Sequence, residues 1–237
     1  MPKRTKRYQS AADSYEHDDF FTLDAAVGLI KQNATAKFDE TIELHVRTAL
    51  DPRHADQQVR GTAMLPHGLG KEIRVAVFAE GDAARAAEEA GAEIVGADDL
   101  IKQVEDGFTN FDVALAERSM MGKVGKLGRI LGPRGLMPSP RAGTVVDGAQ
   151  MSKAIDEARK GRVEFRLDRL ALMHVPVGKA SFEQDKLQEN IATLVEEIVK
   201  AKPSGAKGSY VRGMHLASTM GPSVKLELQS TLAVRAD

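Results

Sequence analysis

The chain has 237 residues, enough for one or two domains with a sizeable core. Its 33 Lys and Arg against 34 Asp and Glu leave a formal net charge of −1, so attraction for an anionic partner must come from charges segregated along the chain. The absence of cysteine excludes disulfides, thiolate catalysis and cysteine-ligated zinc, as suits a cytoplasmic protein. No apolar run is long enough to span a bilayer, and the basic start at Lys3, Arg4, Lys6 and Arg7 lacks the apolar core of a signal peptide.

Met1 to about Phe20 reads as a mobile arm, basic first and then acidic at Glu16, Asp18 and Asp19. Thr22 can cap a helix running to Asn33, with Leu23, Ala26, Leu29 and Ile30 on one face. From Phe38 to Leu50 the residues alternate. Phe38, Ile42, Leu44, Val46 and Leu50 share one face, while Asp39, Glu43, His45 and Arg47 share the other. This predicts a strand buried on one side, as in antiparallel sheets. After Gly70 the pattern changes. Apolar runs at Ile73–Phe78, Ile94–Val95 and Val113–Leu115 alternate with helical segments at Asp82–Ala90 and Asp98–Glu105, which predicts a parallel α/β unit.

No acidic residue occurs from Arg118 to Val146. In a helix, Met120, Val124, Leu127 and Leu131 form one apolar stripe with Lys123 and Lys126 beside it. The glycines 122, 125 and 128 each cost roughly 1 kcal/mol against alanine there, which suggests the close approach of another backbone. Gly132-Pro133 is expected to stop the helix, and Pro138 and Pro140 to hold the next segment extended. Asp147–Lys160 reads as a closing helix.

At Gly161 the half-buried alternation returns. Val163, Phe165 and Leu167 alternate with Glu164, Arg166 and Asp168, and Met173–Val177 is a second strand whose Pro176 suggests a sheet edge. Ser181 with Gln184 resembles a capping box for a helix striped by Leu187, Ile191, Leu194, Val195 and Ile198. Val211–Leu216 and Val224–Val234 are two further candidate strands. We infer a discontinuous α+β domain, residues 1–66 and 161–237, with an α/β domain of residues 67–160 inserted. Periodicity supports the change of class; it does not by itself pair the two ends.

Enzyme motifs are missing. There is no Gly-x-x-x-x-Gly-Lys-Ser/Thr loop, no Gly-x-Ser-x-Gly elbow, and Gly68-x-Gly70 precedes its strand without a third glycine. The six histidines (17, 45, 54, 67, 174 and 215) never fall at helical ligand spacing; each is more often a surface or packing residue, with His174 near Lys179 the best exception. No cofactor or metal is expected. The chain is poor in aromatics, with no Trp and three Tyr, so any RNA would be recognised by its folded shape rather than by base stacking.

The run from Leu127 to Pro138, LGRILGPRGLMP, followed by Gly143-Thr144-Val145, closely resembles the signature of the ribosomal protein L-one family of the large-subunit stalk. So do Lys37–Glu43, Asp51-Pro52-Arg53, Val59–Thr62 with Leu65–Gly68, and Gly178–Phe182, so the likeness covers most of the chain. Family members usually have asparagine and lysine at Ser139 and Arg141, and many have a glycine turn where this chain has Arg169-Leu170-Ala171. That departure bears on the hairpin's geometry and on any contact by Asp168. The resemblance implies a split β-α-β domain with an antiparallel sheet and an inserted Rossmann-like domain. It also implies a structural protein that binds 23S rRNA at the mobile stalk, assists release of exit-site tRNA, and represses translation of its own operon mRNA. The RNA-binding residues it implies are Lys37, Phe38, Glu43, Arg166, Lys179, Ser218, Thr219, Met220 and Gly221. Lys126, Arg129, Gly132, Arg134, Gly135 and Arg141 would be signature residues with peripheral RNA contact. Without the resemblance, core packing for Phe38 and Met220 and a solvated charge for Glu43 are the simpler readings. The alternative function is an enzyme binding a phosphorylated ligand on the central α/β segment.

Overall fold

In a computed structural model, residues 5–206 and 208–234 are described, Arg141 by its backbone alone. The chain divides into two compact units, Met1–Gly70 with Val163–Asp237, and Lys71–Arg162. The first is α+β and the second parallel α/β, the class that the two kinds of periodicity predict.

In the split unit the elements are α1 (Lys6–Ala12), α2 (Leu23–Asn33), β1 (Thr41–Thr48) and β2 (Arg60–Met64). After the insertion come β7 (Arg162–Arg166), β8 (Leu172–Lys179), α8 (Gln184–Lys200), β9 (Val211–Ser218), β10 (Val224–Leu226) and α9 (Leu228–Ala233). The main sheet runs β10-β9-β1-β8, all neighbours antiparallel, and β2 pairs with β7 in a separate two-stranded sheet. Ile42, Leu44 and Val46 on β1 pack with Met173, Val175 and Val177 on β8 and with Met214 and Leu216 on β9. This apolar face meets Ala26, Val27 and Ile30 of α2 and the predicted stripe of α8. Fully burying one such aliphatic side chain stabilises the fold by about 1.5–3 kcal/mol. Pro176 does lie on an edge strand, since β8 pairs only with β1 in this sheet.

Four expectations for this unit are corrected. The arm is ordered from Thr5 onward: Thr5 caps α1, and Tyr15 packs edge-on against Phe21 while its hydroxyl donates to the Ser223 carbonyl. Phe21 in turn exchanges backbone hydrogen bonds with Lys225 and Glu227. Residues Met1–Arg4 lie outside the described part. Ser181 caps no helix. Its hydroxyl donates to Asp39 at 2.7 Å, Gln184 reaches Asp24, and α8 begins after Glu183. Beyond Leu226 the chain turns helical rather than continuing as a strand, with the Thr231 hydroxyl bonded to the Glu227 carbonyl. Phe38 precedes β1 instead of lying in it, and it is 54% exposed.

The hairpin between β7 and β8 keeps a tight turn without glycine. Ala171 sits at φ 62°, the one positive-φ non-glycine among the described residues, and the Asp168 carboxylate accepts from the Leu170 and Leu172 amides.

The inserted unit contains β3 (Val75–Phe78), α3 (Asp82–Glu89), β4 (Ile94–Gly96), α4 (Asp98–Glu105), β5 (Val113–Glu117), α5 (Met121–Val124), α6 (Gly128–Leu131), β6 (Val145–Val146) and α7 (Met151–Arg159). Its parallel sheet runs β4-β3-β5-β6, and all four residues of β3 are buried. One face is covered by α3 and α7, the other by α4 and the stripe Met120, Val124, Leu127 and Leu131. The stripe is buried as predicted, but its backbone alternates between α and 3-10 turns instead of forming one regular helix. No backbone approaches Gly122, Gly125 or Gly128; a Cβ there would meet nothing within 4 Å. Gly132 does not end the helical path either, since its own φ is −59°. The stop comes at Gly135, φ 71°, where the Leu136 amide bonds back to Leu131 and the Gly135 amide to Gly132. That is a Schellman closure, and it needs a left-handed residue.

Two predictions follow from this architecture. A left-handed alanine costs about 1–2 kcal/mol, part of which a more flexible unfolded chain and a lost buried methyl give back. Ala171→Gly should therefore stabilise the protein by up to about 1 kcal/mol, read as a small rise in melting temperature. Joining Gly70 to Val163 through a short linker should leave a unit with a cooperative thermal transition; a broad melt without one would contradict an autonomous split unit.

Candidate nucleic-acid interface

The candidate surface forms at one end of the main sheet, where β1 begins and β8 and β9 end. Thr41 pairs with Lys179, and Ile42 with Ser218. Three loops therefore converge, and hydrogen bonds lock them. The Ala180 amide donates to the Glu40 carbonyl at 2.8 Å, and the Ser181 amide and hydroxyl both donate to the Asp39 carboxylate. On the other side the Thr219 amide donates to the Thr41 carbonyl at 3.0 Å.

The bond at the centre belongs to a residue given no role from sequence. Glu40 is 1% exposed, and its two oxygens accept from the Ala36 amide and the Met220 amide, each at 2.9 Å. Burial works to raise its pKa. The two amides, the Ser218 hydroxyl and the Arg7 charge outweigh it and hold the carboxyl below the ordinary glutamate range. The alternation from Phe38 to Ile42 already puts position 40 on the buried side. A carboxylate there must find hydrogen-bond donors, so the pattern itself held the signal.

This clamp displays side chains that make no use of the core. Lys37 and Phe38 are exposed on one loop, and Met220 is 50% exposed on the other. Gly221 is tight as well as bare, since a Cβ would come 2.5 Å from the Ser218 hydroxyl oxygen. Several candidates carry structural duties too. Lys179 donates to the Thr41 hydroxyl at 2.8 Å, and the Thr219 hydroxyl accepts from the Thr41 amide at 3.0 Å. Ser218 is buried at 5% exposure. Glu43 is half-exposed on the open face of β1, its carboxylate 4.0 Å from the His45 ring. Arg166 is not brought to this end; it is exposed on β7, in the two-stranded sheet.

The basic stretch of the inserted unit is mostly occupied with its own neighbours. Lys123 bonds Glu80 at 2.8 Å and reaches Asp98, and these bonds raise its pKa. Arg118 pairs with Asp147, and Arg134 bonds the Thr109 hydroxyl. Gly132 and Gly135 shape the turn after the helical run. Lys126 and Arg129 are exposed and have no ion-pair partner among the described residues. The side chain of Arg141 lies outside the described part.

Exposed apolar and cationic side chains, held on hydrogen-bonded loops at a sheet end, define a binding protein. Residues 30–222 match the model of the Ribosomal protein L1p/L10e family. Two proteins named "Large ribosomal subunit protein uL1", from strains of Dehalococcoides mccartyi, are 51% and 52% identical over 234 residues, covering 99% of this chain and 99% of each relative. The chain belongs to that family: it is a structural constituent of the large ribosomal subunit, located on the ribosome in the cytoplasm. It is not an enzyme, so the alternative of a phosphorylated-ligand enzyme falls. Among the described residues, no helix is long and apolar enough to cross a membrane.

The clamp yields a pH prediction. A carboxyl with a depressed folded pKa contributes stability that is full above its unfolded value, about 4.3, and lost as pH falls through the folded value. Glu40→Ala should remove that acid dependence. It should also lower stability at neutral pH by about 2–4 kcal/mol, because two amides lose their acceptor. Chemical denaturation of both proteins at about pH 7 and about pH 4 checks it.

Proposed function

We propose that the chain binds large-subunit rRNA at the stalk through the β1–β8–β9 end of its split unit. The observation that carries this is the pair Phe38 and Met220, half-exposed on two loops that the buried Glu40 fastens together. Large apolar side chains on a rigid, hydrogen-bonded frame suit a partner recognised by shape, and they cost little entropy on docking. Lys37 and Lys179 supply nearby cations, and Gly221 lets an RNA backbone come close. Lys126 and Arg129 of the inserted unit add peripheral phosphate contact. On the ribosome this surface anchors the protein while it assists release of exit-site tRNA. A structured leader in its own operon mRNA that copies the stalk fold would occupy the same surface, so the protein represses its own synthesis.

Binding of a stalk rRNA fragment tests the assignment. Phe38→Ala and Met220→Ala should each weaken binding roughly tenfold while leaving the melting temperature unchanged, since neither side chain supports the core. Lys126→Ala should weaken it less, because an exposed charge pair is worth at most about 1 kcal/mol. If Lys126→Ala proves the more damaging, the RNA surface lies on the inserted unit. The salt dependence should correspond to roughly 3–5 released counterions, given the few cations at the sheet end. Competition between the rRNA fragment and the operon leader for one site tests the regulatory part.

A further inference from the structure

The open face of the main sheet carries a cluster that the proposed RNA surface does not use. His45 on β1 stands opposite His174 on β8 and His215 on β9. The Nδ1 atoms of His45 and His174 lie 2.8 Å apart, with the rings edge to face. Each ring's other nitrogen looks toward a carboxylate: His45 Nε2 lies 4.0 Å from Glu43, and His174 Nε2 lies 3.7 Å from Asp168. Asp168 is fixed there by the two hairpin amides it accepts. The result is a chain of four groups, Glu43, His45, His174 and Asp168.

Counting hydrogens on this chain defines its behaviour. At 2.8 Å, one Nδ1 must donate and the other accept. Two neutral imidazoles bring two hydrogens. One lies between the rings, and the other serves only one of the two carboxylate-facing Nε2 atoms. The remaining Nε2 then points a lone pair at a carboxylate. A third hydrogen completes the chain, leaving one positive charge on the pair. A fourth would set two N–H groups head to head and break the contact. The cluster is therefore built to take up one proton and to resist a second.

From this geometry we propose that the open sheet face extends the RNA-binding surface, and that docking of the RNA phosphate backbone draws one proton onto the His45–His174 pair. This rests on the reading that the split unit binds stalk rRNA. Arg47 on β1 lies two residues beyond His45 on the same strand, exposed and without an ion-pair partner among the described residues. Lys225 on β10 also borders the face, bonded to Asp18. Glu43 joins the face to the sheet end that carries Phe38 and Met220, so the two surfaces are continuous. Burial, then the neighbouring His174, holds His45 below the ordinary histidine range, with Glu43 opposing; burial and Lys225 do the same to His215. His45 therefore has a proton to gain when a polyanion arrives. A nearby phosphate favours the charged form, and by linkage the charged form favours the phosphate, so affinity must rise as pH falls through the pair's titration.

The test measures affinity of the full chain for the stalk rRNA fragment at about pH 8 and about pH 6, for wild type and His45→Asn. A linked shift of about one pKa unit makes wild type bind up to roughly tenfold tighter at the lower pH. The variant should gain clearly less, and protonation of the RNA itself cancels in the comparison. Calorimetry of the wild type in buffers of different ionisation enthalpy gives a second readout that needs no variant: net uptake of up to about one proton per complex near pH 7. Equal pH dependence in the two proteins, or no proton uptake by wild type, overturns this inference alone. Failure of the wild type to bind at either pH overturns the RNA assignment itself, and this inference with it.

Discussion

Everything in the split unit depends on β1 being hydrogen-bonded on both edges by strands from beyond the insertion. Thr41 pairs with Lys179, and Ile42 with Ser218. Before β8 and β9 arrive, β1 has two open edges, and its apolar face, Ile42, Leu44 and Val46, has only α2 to cover it. The cost of closing so long a loop grows only with the logarithm of its length. A folded unit can therefore stand in the middle of the chain without abolishing the pairing. The same pairing gathers the loops at the sheet end, so the core and the candidate interface share one cause.

At that end the protein accepts a buried charge in order to hold two loops. A buried carboxylate is tolerable only when its oxygens are satisfied, and the Ala36 and Met220 amides satisfy Glu40. With the backbone fixed from within, Phe38 and Met220 are free of structural duty and face outward. Thr219 and Lys179 show the opposite economy: their polar atoms tie β1 to its neighbours. A substitution at either one mixes lost binding with lost order. A substitution at Phe38 or Met220 does not.

The basic stretch of the inserted unit illustrates how a charge run differs from a charged surface. Six cations without an acid between them suggest a phosphate-facing loop, yet Lys123 and Arg118 meet Glu80, Asp98 and Asp147 from elsewhere in the unit. Partners distant in sequence neutralise what looks unopposed along the chain. Lys126 and Arg129 keep their charge for solvent or a partner.

What the sequence determined by itself was whatever repeats locally. Side-chain alternation gave β1 and β7 their buried faces, helical spacing gave α8 and the stripe from Met120 to Leu131, and the uninterrupted apolar run gave β3 as a parallel strand. The long run at Leu127–Pro138 identified the family. Tertiary structure decided whatever depends on a distant partner. Ser181, which looks like a helix cap, bonds Asp39 instead, and α8 starts after it. Glu40 gained its role only when the loop at Met220 arrived, and His45 and His174 met only when β8 paired with β1. Ala171 took a left-handed turn because the hairpin and the Asp168 carboxylate required it, against its own preference. Local periodicity encodes which face of a segment is buried; which residues meet across strands is set by register, and register belongs to the whole fold.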